Sequence, residues 1–172
     1  MFESKQLCEV VASDERKLFN RILRTNLIEL GGASSQLSMF TTLRFRITNV
    51  GDGQVSTILL GHEIAPSFMR TFARRSKSLI HQVVDETTKD NEGVRLKLIA
   101  VTSARVSENT KRNIRAILVE ETKKHILEKN FDELMQDVIY GRVSSKLFIR
   151  LKQITKMRRV EIRRSERKEI FK

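Results

Sequence analysis

The stretch KMRRVEIRRSERKE, residues 156–169, contains the pattern that most directly indicates how this chain folds. Its centre, RRVEIRR at residues 158–164, places the apolar residues Val160 and Ile162 two positions apart. Side chains alternate between the two faces of a β-strand, so both residues fall on one face. The pattern predicts a basic strand near the end of the chain, anchored to a core by two buried side chains.

The charged residues of this stretch are expected on the other side of the strand. Alternation puts Arg159, Glu161 and Arg163 on the outer face, where the carboxylate of Glu161 can orient its arginine neighbours, while Arg158 and Arg164 flank the ends. Guanidinium groups in this arrangement suit bidentate contacts with the phosphates of a folded RNA. A run of charged residues is more often only a solvated surface, so RNA binding has to be judged from the rest of the chain as well.

Positive charge is abundant in the chain and unevenly placed. It has 33 Lys and Arg against 21 Asp and Glu, a formal net charge of +12 and a pI near 10.3. Residues 141–172 hold twelve Lys and Arg against three Glu, so nine of the twelve excess charges lie there. An excess of this kind indicates an anionic partner. Its densest part lies on a strand-like segment without Trp, which favours a nucleic acid over a membrane surface.

Length and composition favour one intracellular domain. A chain of 172 residues with 40% hydrophobic residues can bury a core of its own, and Pro66 is its only proline, which leaves no Pro-rich linker. We therefore expect a single domain over residues 1–172. Residues 1–12 and 165–172 are candidates for loose terminal segments. The single cysteine, Cys8, fits a reducing compartment, and we expect a cytoplasmic protein without a membrane span.

Two hairpins are predicted from period-two patterns and turn residues. LRFRI at residues 43–47 alternates apolar residues with arginine, and Asp52-Gly53 offers a tight turn into residues 55–60. Residues 79–86 and 94–101 flank TTKDNEG, whose Asp, Asn and Gly suit a second hairpin. Both hairpins indicate antiparallel strands.

Helices are predicted between and after the hairpins. Pro66 can open a short helix whose end carries arginines, Ser107 can cap a longer one, and Asn130 with Glu133 forms a capping-box pattern before a helix that Gly141 would end. The resulting fold class is α+β, with a largely antiparallel sheet or partly open β-barrel, helices packed on one side and a basic C-terminal strand.

Motifs for catalysis or cofactor binding are missing from the sequence. It contains no GxGxxG, P-loop, CxxC or HExxH, and its three histidines lack the spacing of metal ligands. We therefore predict no enzyme, no cofactor and no metal. The strongest enzymatic alternative is a metal-dependent nuclease using Asp85 and Glu86, although adjacent strand residues point to opposite faces.

Basic side chains in several segments are candidates for RNA binding. Strand residues two apart share a face, so such pairs can meet two phosphates of one backbone. The candidates from the residue pattern are Arg44, Arg46, Arg74, Arg75, Lys77, Arg95, Lys97, Lys111, Arg112, Arg115, Arg158, Arg159, Arg163 and Arg164.

The order of motifs resembles one family of ribosomal proteins. GHEIAPSFMRTFARRS, VVDETTKD, VRLKLIAVTSAR, IRAILVEETKK, FDELMQDVIYGRV and RRVEIRR follow one another with similar spacing in the small-subunit protein family S-three-A-e, also called eS-one, of archaea and eukaryotes. That family is unrelated to the bacterial S-one protein. The resemblance runs from about Ser13 to the end of the chain, and it adds Arg105 to the candidate residues.

The resemblance implies a structural, non-catalytic role. A member of this family would bind rRNA on the platform of the small subunit, near the mRNA exit and the 3′ end of the rRNA, and would support subunit assembly and translation. The implied partners are the small-subunit rRNA, neighbouring platform proteins and exiting mRNA. A free-standing RNA chaperone with the same fold remains an alternative, and sedimentation with ribosomal subunits would separate the two.

Binding to RNA should depend steeply on salt. Each phosphate that is neutralised releases counterions, so a plot of log affinity against log salt should have a slope of several units if about six to ten phosphates are contacted. Filter binding of an rRNA fragment across a salt series measures this slope. An affinity that hardly changes with salt would contradict the electrostatic argument.

Overall fold

The structure, a computed structural model, describes residues 6–31, 37–51, 54–72 and 75–168. The predicted turn at Asp52-Gly53 and the candidate Arg74 lie outside these residues. The chain divides into two compact units, residues 1–65 and residues 66–172. The single domain over residues 1–172 stays a prediction.

The first unit contains three antiparallel strands. They are β1 (Ile22–Asn26), β2 (Thr41–Gly51) and β3 (Gln54–Ile64), with β2 between the other two. Short 3₁₀ turns, Glu15–Lys17 and Ser38–Phe40, precede β1 and β2. Gly51 pairs with Gln54, which confirms the first predicted hairpin.

The LRFRI segment of β2 has the predicted alternation. Leu43, Phe45 and Ile47 are buried, whereas Arg44 and Arg46 are only half-buried. The two arginines therefore lie on the face of β2 that points away from its apolar side chains.

The second unit combines three antiparallel strands with four helices. Strand β5 lies between β4 and β6. Helix α2 packs on β4 and helix α4 packs on β6. An α+β fold with an open antiparallel sheet is confirmed. Its elements are α1 (Pro66–Arg70), β4 (Leu79–Thr87), β5 (Gly93–Thr102), α2 (Glu108–Glu128), α3 (Phe131–Ile139), α4 (Arg142–Lys152) and β6 (Met157–Lys168).

Strand β6 buries Val160 and Ile162, as predicted, at 3% and 2% exposure. Strict alternation from these residues would also turn Arg158 and Arg164 towards the core. The core positions are filled instead by Met157 and Ser165, which are 7% and 0% exposed. The buried residues of β6 are thus spaced by three, two and three.

Two β-bulges produce this spacing. The pairing of β6 with β5 shifts between Val101 and Thr102 and again between Lys97 and Leu98. Arg158 and Arg163 are the extra residues at these two shifts, and both are exposed. A bulge adds one residue to one strand, which resets the alternation of the strand beyond it. Both members of each arginine pair thereby avoid the core.

Helix α1 is shorter than predicted. We expected Arg75 and Lys77 at its end, but α1 stops at Arg70, and both residues lie in the turn before β4. The amides of Thr71 and Phe72 bond to carbonyls three residues back, a tightening typical of a helix end.

The helix caps agree in part with the sequence patterns. The hydroxyl of Ser107 accepts from the amide of Thr110, which confirms the cap of α2. The Asn130 side chain makes no such bond, so the predicted capping box is wrong. The amide of Phe131, the first residue of α3, donates to the Asp90 carboxylate at 3.3 Å. Gly141 follows α3 in the left-handed conformation, φ +72°, which favours glycine.

The inside and outside of β6 can be tested by one substitution at two positions. Val160→Asp should lower the free energy of unfolding by about 3 kcal/mol or more, because it buries a carboxylate without a partner. Arg158→Asp, the matched control, should change it by less than about 1 kcal/mol, because that bulge position is exposed. Guanidinium denaturation measures both, and equal losses would contradict the assignment of faces.

Candidate nucleic-acid interface

Three segments of the second unit meet at the end of the sheet where β4 and β6 begin and β5 ends. The Thr102 amide donates to the Ser78 carbonyl at 3.1 Å, and the Ser103 amide donates to the Lys156 carbonyl at 2.9 Å. Basic residues on both sides of these bonds are thereby gathered at one place. We call this group the strand-end cluster; it consists of Arg75, Lys77, Arg105, Arg158 and Arg159.

Hydrogen bonds fix the loop that carries Arg105. The Nε of Arg105 donates to the Arg75 carbonyl at 3.1 Å, and the Val106 amide donates to the Ser78 hydroxyl at 3.2 Å. The buried hydroxyl of Thr102 donates to the Ala104 carbonyl at 2.6 Å. The two loops therefore hold each other, and Arg105 positions the backbone that carries Arg75.

Arg159 is held between aromatic rings and a carboxylate. Its guanidinium lies 5.1 Å from the ring centroid of Phe68 and 4.6 Å from that of Phe72. Its Nε donates to Glu161 at 2.9 Å, so Glu161 orients an arginine neighbour as predicted. Cation–π contacts of this kind hold a guanidinium in place at modest energy. Arg159 is thus a rigid part of the cluster, and its Nε is already bonded to Glu161.

The first turns of α2 add basic residues close to this end of the sheet, because α2 begins three residues after Arg105. The carboxylate of Glu108 accepts from Lys111 at 3.0 Å and from Arg115 at 3.3 Å, and these bonds hold the pKa of Glu108 below its ordinary value. Arg112 is exposed, and none of the described carboxylates forms an ion pair with it. Of these three candidates, Arg112 has its charge available.

The candidates on β5 share one face, as predicted, but carboxylates compensate them. Arg95 donates from Nε and Nη2 to the two oxygens of Asp85, each at 2.7 Å. These bonds, with help from Lys168, hold the pKa of the Asp85 carboxyl well below its usual range. The Nζ of Lys97 lies 3.3 Å from the Oε2 of Glu166. These residues contribute less free positive charge than their number in the sequence indicates.

Glu166 also compensates the second arginine pair in part, because it contacts Arg164 at 2.5 Å. Its neighbour Arg163 is exposed at the bulge, and no described Asp or Glu lies within ion-pair distance of it. Partial burial and the positive charge of Arg163 lower the pKa of His81. Each bulge therefore exposes one arginine, Arg158 or Arg163, beside a partner that is held by a carboxylate.

In the first unit, the register adds a residue that the sequence analysis missed. Arg24 of β1 lies directly opposite Arg44 of β2, and Arg46 is two positions along the same face. The first unit thus carries a second group of basic residues on one face. A single arginine in an apolar segment gives no signal; only the register shows its neighbour.

The structure thus sorts the predicted residues into groups. It gathers Arg75, Lys77, Arg105, Arg158 and Arg159 at one end of the second unit, and it leaves Arg112 and Arg163 exposed elsewhere on that unit. It pairs the others of that unit with carboxylates: Arg95, Lys97, Lys111, Arg115 and Arg164. No set of described His, Cys, Asp or Glu side chains could hold a metal ion.

Comparison with known proteins assigns the chain to a family. A sequence model described as the Ribosomal S3Ae family matches residues 1–169. The chain belongs to the Ribosomal S3Ae family. The resemblance seen in the order of motifs is thereby confirmed.

Three archaeal relatives, each named small ribosomal subunit protein eS1, illustrate the similarity. The chain is 34% identical to that of Sulfolobus acidocaldarius over 96% of its own length and 84% of the relative. For Sulfurisphaera tokodaii the identity is 32%, over 90% and 79%. For Staphylothermus marinus it is 32%, over 90% and 72%.

Family membership decides between the function classes. A Ribosomal S3Ae protein is a structural component of the small ribosomal subunit and not an enzyme. The family therefore rules out the nuclease alternative. Its two candidate acids form structural ion pairs: Asp85 accepts from Arg95, and a carboxylate oxygen of Glu86 lies 2.9 Å from the Lys123 Nζ of α2. In the described part of the chain, no helix has the length and apolar character needed to span a bilayer.

The division between exposed and carboxylate-paired residues can be tested on RNA. Replacing Arg112, Arg158 and Arg163 with Gln should weaken binding to an rRNA fragment and lower the salt slope by about one unit per arginine that contacts a phosphate. The melting temperature should hardly change. In the matched control, Arg95→Gln with Lys97→Gln, the salt slope should stay close to wild type, because carboxylates already compensate both residues. The reverse outcome would contradict the assignment.

Proposed function

We propose that this protein binds rRNA on the platform of the small ribosomal subunit, near the mRNA exit and the 3′ end of the rRNA. It acts there in the cytoplasm as a scaffold for subunit assembly and translation. The position on the platform is supported by the family resemblance. The observation that carries RNA binding is the set of exposed arginines in the second unit, gathered by the strand ends and the two bulges.

The spacing of the exposed arginines suits a folded RNA. Arg158 and Arg163 are five residues apart in β6, which at about 3.3 Å per residue separates them by roughly 16 Å. They would therefore contact phosphates that are well apart on the RNA surface. Folded RNA is recognised largely through its shape and its backbone, and a rigid strand with arginines at fixed separation matches that mode.

The residues of the proposed site have two tasks. Arg75, Arg112, Arg158 and Arg163 are placed to contact phosphate directly. Arg105 and Arg159 mainly position the backbone and the strand, through the Arg75 carbonyl and through Phe68 and Phe72. For the carboxylate-paired residues, phosphate would have to compete with the carboxylate that is already present, and the Arg95 pair uses two parallel bonds.

Further partners follow from the same position. Neighbouring platform proteins and mRNA leaving the subunit would lie beside a protein at this place. The outer face of the first unit, with Arg24 opposite Arg44, is a second basic surface that could meet one of them.

Ultraviolet crosslinking of intact subunits tests the proposal. The protein should sediment with the small subunit on a sucrose gradient and should move to the top after RNase treatment. Irradiation followed by sequencing should give crosslinks at the 3′ region of the small-subunit rRNA and on exiting mRNA. Crosslinks confined to the decoding centre would refute the placement, and a protein that stays at the top without RNase would refute ribosome binding itself.

A further inference from the structure

Strand β4 forms an edge of the second unit's sheet, and its polar backbone groups can be assigned to its two sides. Among the described residues of this unit, only β5 pairs with it, and the register runs without a shift from Leu79 to Thr87. In an antiparallel strand, the N–H and C=O of one residue point to the same side, and those of the next residue point to the other side.

Two hydrogen bonds just beyond the ends of β4 fix which residues face β5. The Ser78 carbonyl accepts from Thr102, and the Thr88 amide donates to Glu92. Even-numbered residues therefore bond to β5. The backbone groups of the odd-numbered residues, Leu79, His81, Val83 and Asp85, point to the open edge.

One side-chain contact agrees with this assignment. The side-chain amide nitrogen of Gln82 donates to the Val83 carbonyl at 3.0 Å at an exposed position, as expected for a carbonyl that points away from β5. The Gln82 side chain thus satisfies one acceptor of the edge. The amides of His81, Val83 and Asp85 remain directed outward.

The edge lacks several of the features that keep natural sheet edges from pairing, and its two acids, Asp85 and Glu86, are paired with Arg95 and Lys123. Such edges are protected by short strands, lysine, proline or bulges. Strand β4 is nine residues long, LIHQVVDET, with no Lys, Arg or Pro and no bulge. Among the odd-numbered residues of β4, Leu79 and Val83 are apolar and are 36% and 50% exposed.

We propose that the β4 edge binds an extended segment of another protein of the subunit, which adds a strand through main-chain hydrogen bonds. The segment would carry apolar side chains at alternate positions, where they meet Leu79 and Val83. The proposal rests on the proposed function in one respect: neighbouring subunit proteins supply the segment. Addition of a strand to an exposed edge is a general mode of peptide recognition.

Two other occupants fit less well. RNA does not offer the regular row of N–H and C=O groups that a strand edge pairs with. A second copy of this chain would bring another +12 of charge. Antiparallel self-pairing of residues 79–85 would also set each Leu79 against an Asp85, a poor cross-strand pair.

A photo-crosslinking amino acid at position 81 tests the edge. Cells would produce the chain with His81→p-benzoylphenylalanine, alone or combined with Val83→Pro or Val83→Thr. Proline removes the outward N–H and spares the bonds to β5, which is the position where a strand tolerates it. Threonine keeps the N–H and the branched shape, so it is the matched control. If the melting temperature shows that the proline variant is unfolded, Val83→Lys replaces it.

Irradiation of the small-subunit fraction should yield an adduct with one short stretch of another protein, in which apolar residues alternate. The adduct should fall at least tenfold with Val83→Pro and persist with Val83→Thr. The proposal would be overturned if the only adducts were with rRNA or with a second copy of the chain. It would also be overturned if no adduct formed, or if Val83→Pro left the adduct unchanged. If the chain is present in the subunit but forms no adduct, strand addition at the β4 edge is refuted and the proposed function is not. A chain found only at the top of the gradient with the adduct refutes ribosome binding and leaves the edge standing.

Discussion

Strand β6 must supply four buried side chains to the sheet and also keep two pairs of adjacent arginines in water. A regular strand cannot do both, because adjacent residues point to opposite faces. The two bulges resolve this conflict. They leave Met157, Val160, Ile162 and Ser165 in the core and place one extra arginine at each shift. The basic surface of the second unit depends on these two shifts in register.

Carboxylates decide how much of the positive charge is available to a partner. Bidentate pairing uses the hydrogen-bonding fork of Arg95, and Glu166 serves both Lys97 and Arg164. Such partly exposed pairs add little to stability. Their larger effect is to remove positive charge from the β5 face, so the exposed arginines at the strand end and the bulges dominate the field that an RNA would meet.

Different surfaces of the second unit suit different partners. One is rich in exposed arginine and matches phosphate. The open edge of β4 has no Lys or Arg and matches an extended peptide. In a structural protein of the small ribosomal subunit, separate surfaces for RNA and for protein would allow the chain to hold both partners at once.

Local patterns in the sequence determined much of this protein. Alternation at residues 43–47 and at Val160 and Ile162 predicted the strands and their buried faces, and turn residues predicted both hairpins. Ser107 predicted the start of α2, and the charge excess predicted an anionic partner. These features depend on residues close together in the chain, whose spacing is visible without a structure. The capping box at Asn130 was wrong, because the Asn130 side chain makes no cap bond. The Phe131 amide donates to Asp90, forty-one residues away, a contact that no local pattern reveals.

Tertiary structure alone decided which basic residues remain available. The carboxylate partner of Lys97 comes from another strand, sixty-nine residues along the chain, and Glu92 and Arg167 meet across seventy-five residues. The bulges are likewise set by the pairing of β6 with β5, and no period in the sequence of β6 reveals them. Sequence spacing reports the faces of a single element, whereas register and ion pairing depend on which elements become neighbours.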